Sequence, residues 1–289
     1  LEVAVDTTVS PEKLAVQLRE DGFCVIPNMA DEALLSKTRA CVDKALAEYD
    51  QQHRENTKAP GSLIDSNFHP ELADLIGNRR ALKALAQMGL GDIKFWKAVI
   101  ISKPPGGPRL YWHQDCIMWG DARAYGDRAP MIFLMYYLED TRRENGCLRL
   151  LAGSHKYRHI LHDMGEAHTK DINRMDNPDD PRFKDYPSEV DVPITAGDLV
   201  VGDARMFHAT HENASDEQRT VITIWFHPFF SDLQEDTQSW IHAAFHRQHE
   251  TWLPDALAKI APLIPNYQGD VPPMELTRTP DERLQSPAN

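Results

Sequence analysis

The sequence has no CxxC pair and no other close spacing among its four cysteines, Cys24, Cys41, Cys116 and Cys147. That absence excludes a zinc ribbon and a disulfide framework; it fits reduced thiols, and a cytoplasmic location is expected. Long hydrophobic runs are missing too. The longest, Met131 to Leu138, falls far short of the ~20 residues that span a bilayer, so no transmembrane helix is expected. Positive charge is scarce: 31 Lys+Arg against 44 Asp+Glu leave a formal net charge of −13. Such a balance disfavours nucleic acid and anionic membranes as partners and leaves small molecules as the expected ligands. There is no internal repeat and no low-complexity tract. The chain starts at Leu1 rather than Met, which leaves an upstream targeting segment open. Nothing in the pattern reports the oligomeric state.

What is present reads as one domain over residues 1–289 with three parts. Residues 1–90 are mainly helical. Ser10-Pro11 caps a helix that ends near Gly22, a short strand covers Phe23 to Ile26, and Asp31 opens an amphipathic helix to about Tyr49. A polar segment to Pro60 precedes helical pieces at His69 to Gly77 and Arg79 to Met88. From Ile93 the period changes. About eight short strands follow, at Ile93–Ser102, Arg109–Asp115, Met131–Leu138, Leu148–Leu151, Val190–Ile194, Asp198–Val201, Met206–Thr210 and Thr220–His227. Strands without intervening helices predict an antiparallel sandwich or barrel over 91–230. Two long connections, 116–130 and 156–189, are expected to be lids. Residues 231–289 read as a helix to about Trp252 and then a surface wrap or tail.

The chemistry starts from Tyr111-Trp112-His113-Gln114-Asp115. On a strand, residues i and i+2 share a face, so His113 and Asp115 can grip one ion while Gln114 points away. His208, far downstream on another predicted strand, is placed to supply a third ligand. Two histidines and one carboxylate form the facial triad that suits Fe(II) and leaves coordination positions open. Alone, an HxD among 13 histidines is a chance event. Its company raises it: Arg219 lies eleven residues after His208, and a hairpin would return its guanidinium beside the metal. That planar fork suits the distal carboxylate of a dicarboxylate, and Thr210 adds a hydroxyl donor. His69-Pro70-Glu71 is a decoy because Pro70 spoils strand geometry. A packed helix face explains His242, His246 and His249 better than zinc, since no HExxH accompanies them.

Together these residues resemble the phytanoyl-CoA dioxygenase (PhyH) family, a branch of the 2-oxoglutarate-dependent oxygenases built on a double-stranded β-helix. The matching parts are Asp21-Gly22-Phe23, Trp112-His113-Gln114-Asp115, Glu144-Asn145-Gly146-Cys147, Gly153-Ser154-His155, Gly197-Asp198-Leu199 and His208-Ala209-Thr210 with Asn213, Ser215 and Arg219. The resemblance implies a jelly-roll, cupin-like barrel with N-terminal helices on one face and a C-terminal helix. It implies His113, Asp115 and His208 as iron ligands, and Arg219 and Thr210 as contacts to 2-oxoglutarate. The family's arginine spacing selects His208 over His211, which becomes a candidate substrate contact. His155 falls in a structural turn. In family members the position of Gln114 often helps hold the co-substrate, at odds with strand alternation.

The implied reaction couples oxidative decarboxylation of 2-oxoglutarate by O2, giving succinate and carbon dioxide, to oxidation of an unactivated carbon in a small metabolite. Hydroxylation is the usual outcome; desaturation, epoxidation and cyclisation are variants. Related halogenases lack the carboxylate ligand, so Asp115 argues against halogenation. Arg142, Arg143, Arg149, Lys156 and Arg158 are a modest basic cluster, too weak to argue for a coenzyme A substrate. Met118, Trp119 and Tyr125 of the first lid are expected substrate contacts. Two readings compete with this one: a cupin-like metalloenzyme that does not use 2-oxoglutarate, and a catalytically silent β-barrel that binds a small molecule.

Overall fold

The computed structural model describes residues 9–286. The leader question at Leu1 lies outside them.

The N-terminal part follows its caps. Helix α1 (Pro11–Asp21) begins where Ser10 Oγ accepts the Lys13 N–H and ends at Gly22, whose left-handed φ of 88° turns its N–H back to Leu18 O. Any side chain at Gly22 would be strained and would strike His155 Nδ1, 2.7 Å from a built Cβ. Strand β1 (Phe23–Ile26) leads to α2 (Glu32–Ala47), capped by Asp31. The segment expected to be only polar contains a short helix, α3 (Gln51–Asn56), and a strand, β2 (Ser62–Asp65), follows it where no element was expected. The strand was illegible because it is four residues long and lies at a sheet edge, so only alternate residues are buried. Helices α4 (Ala73–Ile76) and α5 (Arg79–Gln87) complete this part.

The β-rich part contains β3 (Lys94–Lys103), β4 (Ile132–Tyr137), β5 (Leu148–Leu151), helix α6 (Lys170–Arg174), β6 (Glu189–Val192), β7 (Leu199–Asp203), β8 (His208–Thr210) and β9 (Arg219–His227). Two antiparallel sheets result: a six-stranded one ordered β1-β7-β4-β9-β3-β2 and a three-stranded one ordered β6-β5-β8. The fold is mostly sheet with helices, as expected. It takes the form of two facing sheets rather than one continuously hydrogen-bonded barrel. Helices α7 (Glu235–Gln248) and α8 (Pro254–Lys259) follow.

Strand alternation divides the large sheet into two faces. One face, with Phe95, Ala98 and Ile100 of β3, Leu134 and Tyr136 of β4, and Ile222, Ile224 and Phe226 of β9, packs on Leu14, Leu35, Val42 and Leu85 of the N-terminal helices and on Phe245 of α7. The opposite face, with Val99, Phe133, Met135, Tyr137, Val221 and Trp225, meets Leu148 and Leu150 of the small sheet. Each fully buried Leu or Phe contributes about 1.5–3 kcal/mol, so both layers are strongly specified. The functional site opens in the second layer.

One contact there is diagnostic. Gly202 of β7 lies opposite Phe133 of β4, and the Phe133 ring covers it so closely that a Cβ would sit 2.1 Å from Cζ. The same ring lies 4.8 Å from the His208 ring. Gly202→Ala is therefore expected to displace Phe133 and destabilise the protein by about 1–3 kcal/mol, lowering the thermal midpoint by several degrees. A calorimetric midpoint equal to that of the wild type would show that the ring does not occupy this place.

Candidate metal centre and co-substrate chamber

The chain leaves β3 through Pro104-Pro105-Gly106-Gly107-Pro108, where Gly106 takes a φ of 72° and donates its N–H to Asn213 O. This turn lays residues 109–115 against β8. Leu110 N donates to Thr210 O at 3.1 Å, and His113 and His208 exchange backbone hydrogen bonds of 3.0 and 2.9 Å. The segment predicted as a strand makes only this isolated bridge, because the Asp115 and Cys116 N–H groups turn away to a shared acceptor, Ala204 O. The extended run from His113 to Asp115 is enough to bring both side chains to one side.

His113, Asp115 and His208 converge. Their candidate ligand atoms all lie within 4.8 Å of one another, with Asp115 Oδ1 3.7 Å from His113 Nε2 and Asp115 Oδ2 3.6 Å from His208 Nε2. All three side chains are buried. On each histidine the other ring nitrogen is held by a main-chain carbonyl: His113 Nδ1 at 3.0 Å from Tyr111 O and His208 Nδ1 at 3.2 Å from Met206 O. As donors to those carbonyls, both rings present Nε2 lone pairs to the same point, the tautomer a metal requires. Burial lowers the His113 pKa well below the ordinary range, with His208 adding to the effect, so His113 is a neutral ligand. Burial opposes ionisation of Asp115, but its surroundings, including the Trp225 N–H that donates to it, lower its pKa overall. Two imidazole nitrogens and a carboxylate oxygen suit ferrous iron.

Beside the triad lies a chamber whose walls include Leu110, Met135, Tyr137, Thr210, Val221 and Arg219. Arg219 is 1 % exposed, and its Nε and Nη1 have no hydrogen-bond partner among the described residues. Its guanidinium carbon sits 5.8 Å from the Tyr137 ring centroid, and burial depresses its pKa. A buried cation without an anion is costly, and a buried guanidinium fork facing a chamber fits a carboxylate supplied by a ligand. Thr210 Oγ1 accepts from the buried Lys103 Nζ at 2.9 Å, which frees the hydroxyl proton for a ligand oxygen.

The predicted hairpin from His208 to Arg219 does not form. β8 pairs with β5 in the small sheet, whereas β9 pairs with β3 and β4 in the large one. Residues 211–218 cross between the layers, tied by Asn213 N to Gly107 O and Ala214 N to Glu144 O. The arginine still reaches the metal side, because the two sheets face each other across the chamber.

Residues 18–221 match the family model described as Phytanoyl-CoA dioxygenase (PhyH), well over half of the 289-residue chain, and they include all three triad residues and Arg219. The chain belongs to the PhyH family. It is thereby an iron- and 2-oxoglutarate-dependent oxygenase, and the triad and the chamber fit both groups. A curated relative, "Dioxygenase olcK" of Penicillium canescens, is 25 % identical over 240 residues, 78 % of this chain and 73 % of its own. Among solved structures, the non-haem α-ketoglutarate-dependent epimerase SnoN from nogalamycin biosynthesis aligns with a TM-score of 0.59 at 19 % identity, covering 75 % of this chain and 83 % of that one. The complex of SnoN with Fe3+, α-ketoglutarate and nogalamycin RO aligns at 0.56, with 18 % identity and coverage of 75 % and 83 %.

Other residues singled out in the PhyH pattern take different places. Gln114 points away from the triad; its Nε2 donates to Arg278 O and its Oε1 accepts the Trp119 indole N–H at 3.1 Å. It fastens the C-terminal segment and makes no contact in the chamber. His211 is buried with Nε2 2.5 Å from Asp191 Oδ1, behind the small sheet. Met118 and Trp119 are in the packed core, and Tyr125 lies under Arg283 with its hydroxyl accepting the Asp281 N–H at 3.0 Å. None of these four lines the chamber or the cleft beside it. The 116–130 connection is covered by the C-terminal segment, through Trp119 N to Thr277 O, which fixes it in place. His155 is structural as expected, bonded to Arg19 O at 3.0 Å. Of the basic cluster, Arg142, Arg143, Arg149, Lys156 and Arg158 each pair with a carboxylate, which leaves no free basic patch there for a nucleotide.

Sequence reasoning missed Trp225, Lys103, His168 and Asn173. Alternation along β9 was a usable signal: Arg219, Val221, Thr223 and Trp225 share one face. Trp225 Nε1 donates to Asp115 Oδ2 at 2.8 Å, fixing the carboxylate that must serve the metal. Trp225→Phe keeps the ring and removes this donor. It is expected to weaken Fe(II) affinity by about 10–100-fold, read by competition with a chelator of known affinity; unchanged affinity would show that the indole does not orient Asp115.

Proposed function

We propose that the protein hydroxylates a small organic metabolite, an intermediate in natural-product biosynthesis, at an unactivated carbon, consuming 2-oxoglutarate and O2 and releasing succinate and CO2. The observation that carries this reading is Arg219: a buried guanidinium, unpaired among the described residues, sharing a chamber with the triad. A cupin-like metalloenzyme without the co-substrate has no use for that cation, and a silent binding barrel has no use for two histidines held in metal-ready tautomers.

In this reading His113, Asp115 and His208 would hold the iron, which when bound supplies the redox chemistry that activates dioxygen. The protein's own part is to bind, orient and exclude water. Arg219 and the Thr210 hydroxyl fix the far carboxylate of the keto diacid, setting its keto acid end toward the triad. Trp225 keeps Asp115 in its ligating rotamer. A cleft adjoins the triad, lined by Trp96, Val99, Tyr111, Ile117, His168 and Trp225 among others, and is the place for the metabolite. The connection over 156–189 supplies His168 and Asn173 to that cleft, in keeping with a substrate-covering role. Tyr111 is braced there by its hydroxyl donating to Asn173 Oδ1 at 2.7 Å. The natural-product assignment draws on relatives whose names place them in such pathways.

Turnover under 18O2 with a metabolite panel tests the proposal. Label is expected in succinate and in a new product hydroxyl. Label in succinate with an unlabelled, desaturated product would point to desaturation; unconsumed 2-oxoglutarate with every panel member would remove the proposal.

A further inference from the structure

The substrate cleft of this acidic chain is cationic, through a lysine on β3 and a segment outside the family match. The β3–β9 register shifts between Phe95 and Lys97. A bulge lets two consecutive residues face the same side, and here both Trp96 and Lys97 line the cleft with Val99 and Ile101, while Phe95 and Ala98 remain in the helix-side core. Lys97 takes the cleft face with Val99 and Ile101 by ordinary alternation, opposite Trp225 of β9, and the bulge adds the Trp96 ring beside it. Lys97 Nζ lies 4.8 Å from the Trp96 ring centroid and 5.1 Å from that of Trp225, and among the described residues it forms no ion pair.

A second cation arrives from residues 274–286. This stretch is fastened by the Met118–Thr277 bridge and by Gln114 Nε2 to Arg278 O, and it delivers the Arg278 side chain to the same cleft. The ion pair of Arg278 is a 3.4 Å contact from Nε to the exposed Glu166. Asp115, committed to the triad, is the acidic residue among those lining the cleft.

We infer that Lys97 and Arg278 form an anion-binding mouth that selects a metabolite with an aromatic or polycyclic body and a carboxylate or phosphate group. This rests on the proposed oxygenase reading. Trp96 and Trp225 receive the apolar body, and the two cations hold the acidic group, so the carbon presented to the iron lies at a set distance from that group.

The test uses the anaerobic Fe(II)–2-oxoglutarate protein, with binding read by quenching of tryptophan fluorescence. Bicyclic aromatic carboxylic acids, the matching phosphate monoesters and the matching primary amides are compared. An anionic arm is expected to bind at least about tenfold tighter than the amides, as a desolvated charge pair provides. Which anionic arm prevails distinguishes carboxylate from phosphate. Lys97→Met and Arg278→Gln should each reduce the preference, and Lys97→Arg should retain it. Anions binding no better than amides, or a preference intact in both Lys97→Met and Arg278→Gln, would overturn the inference. The visible charge-transfer absorption of the wild-type Fe(II)–2-oxoglutarate complex is recorded separately; its absence would defeat the oxygenase reading instead.

Discussion

Arg219→Met is expected to raise the KM for 2-oxoglutarate by about 10²–10³-fold while leaving kcat at saturation much closer to the wild-type value. The size follows from burial: truncating one member of a buried, hydrogen-bonded charge pair costs about 2–5 kcal/mol, much of it the penalty on the partner left unpaired. The split follows from position. Arg219 holds the end of the co-substrate remote from the reacting carbons, so its contact is equally strong before and during reaction, and its loss appears as uniform binding. Methionine is the informative replacement because it fills the space over Tyr137, where alanine would open a cavity. Arg219→Lys keeps charge without the fork and should fall between. In ligand-free protein the sign reverses. Removing a buried, unpartnered cation should raise the thermal midpoint, and added 2-oxoglutarate should stabilise the wild type far more than the variant. Succinate formation with an unchanged KM in Arg219→Met would show that the chamber does not take the diacid.

The second large effect belongs to Asp115. Asp115→Ala removes the one anionic donor of the triad and leaves the Trp225 indole N–H without its acceptor. Two neutral imidazoles hold Fe(II) weakly, so iron content after purification should fall to background and succinate formation by at least about 10³-fold, the scale seen when a group that acts only as part of a unit is removed. Asp115→Asn separates charge from shape: the amide is nearly isosteric, and a retained fold with lost iron assigns the effect to the anion. Metal analysis of the desalted protein reads the first outcome and circular dichroism the second. A variant that retained iron at the wild-type level would place the metal elsewhere.

The candidate metal triad was legible because its signal is local and doubly constrained. His113 and Asp115 are two residues apart, and His208 is tied to Arg219 by a fixed interval. The reason offered for that interval was incorrect. β8 and β9 belong to different sheets, and Arg219 reaches the chamber by crossing between layers, so a spacing can be diagnostic while its supposed geometry is wrong. Helices α1 and α2 were readable from Ser10, Gly22 and Asp31, whose caps work through neighbouring backbone. What stayed hidden depends on contacts distant in sequence. The burial of Met118 and Trp119 follows from residues 274–286 lying across them, and no pattern near residue 118 announces it. Lys97 shares the cleft face with Val99 and Ile101, but the bulge that sets Trp96 beside it shows only in the pairing with β9. Arg278 lies in a stretch with weak periodicity, docked through backbone carbonyls that sequence does not display.

The central claim, that one ferrous ion and one keto diacid meet at His113, Asp115, His208 and Arg219, is tested most directly by anaerobic titration of metal-free protein with Fe(II) and 2-oxoglutarate, followed by visible absorption. The account predicts a charge-transfer band that requires both components and saturates at one ion per chain. A protein that takes up no ferrous ion, or binds it without developing that band when the diacid is added, would contradict it.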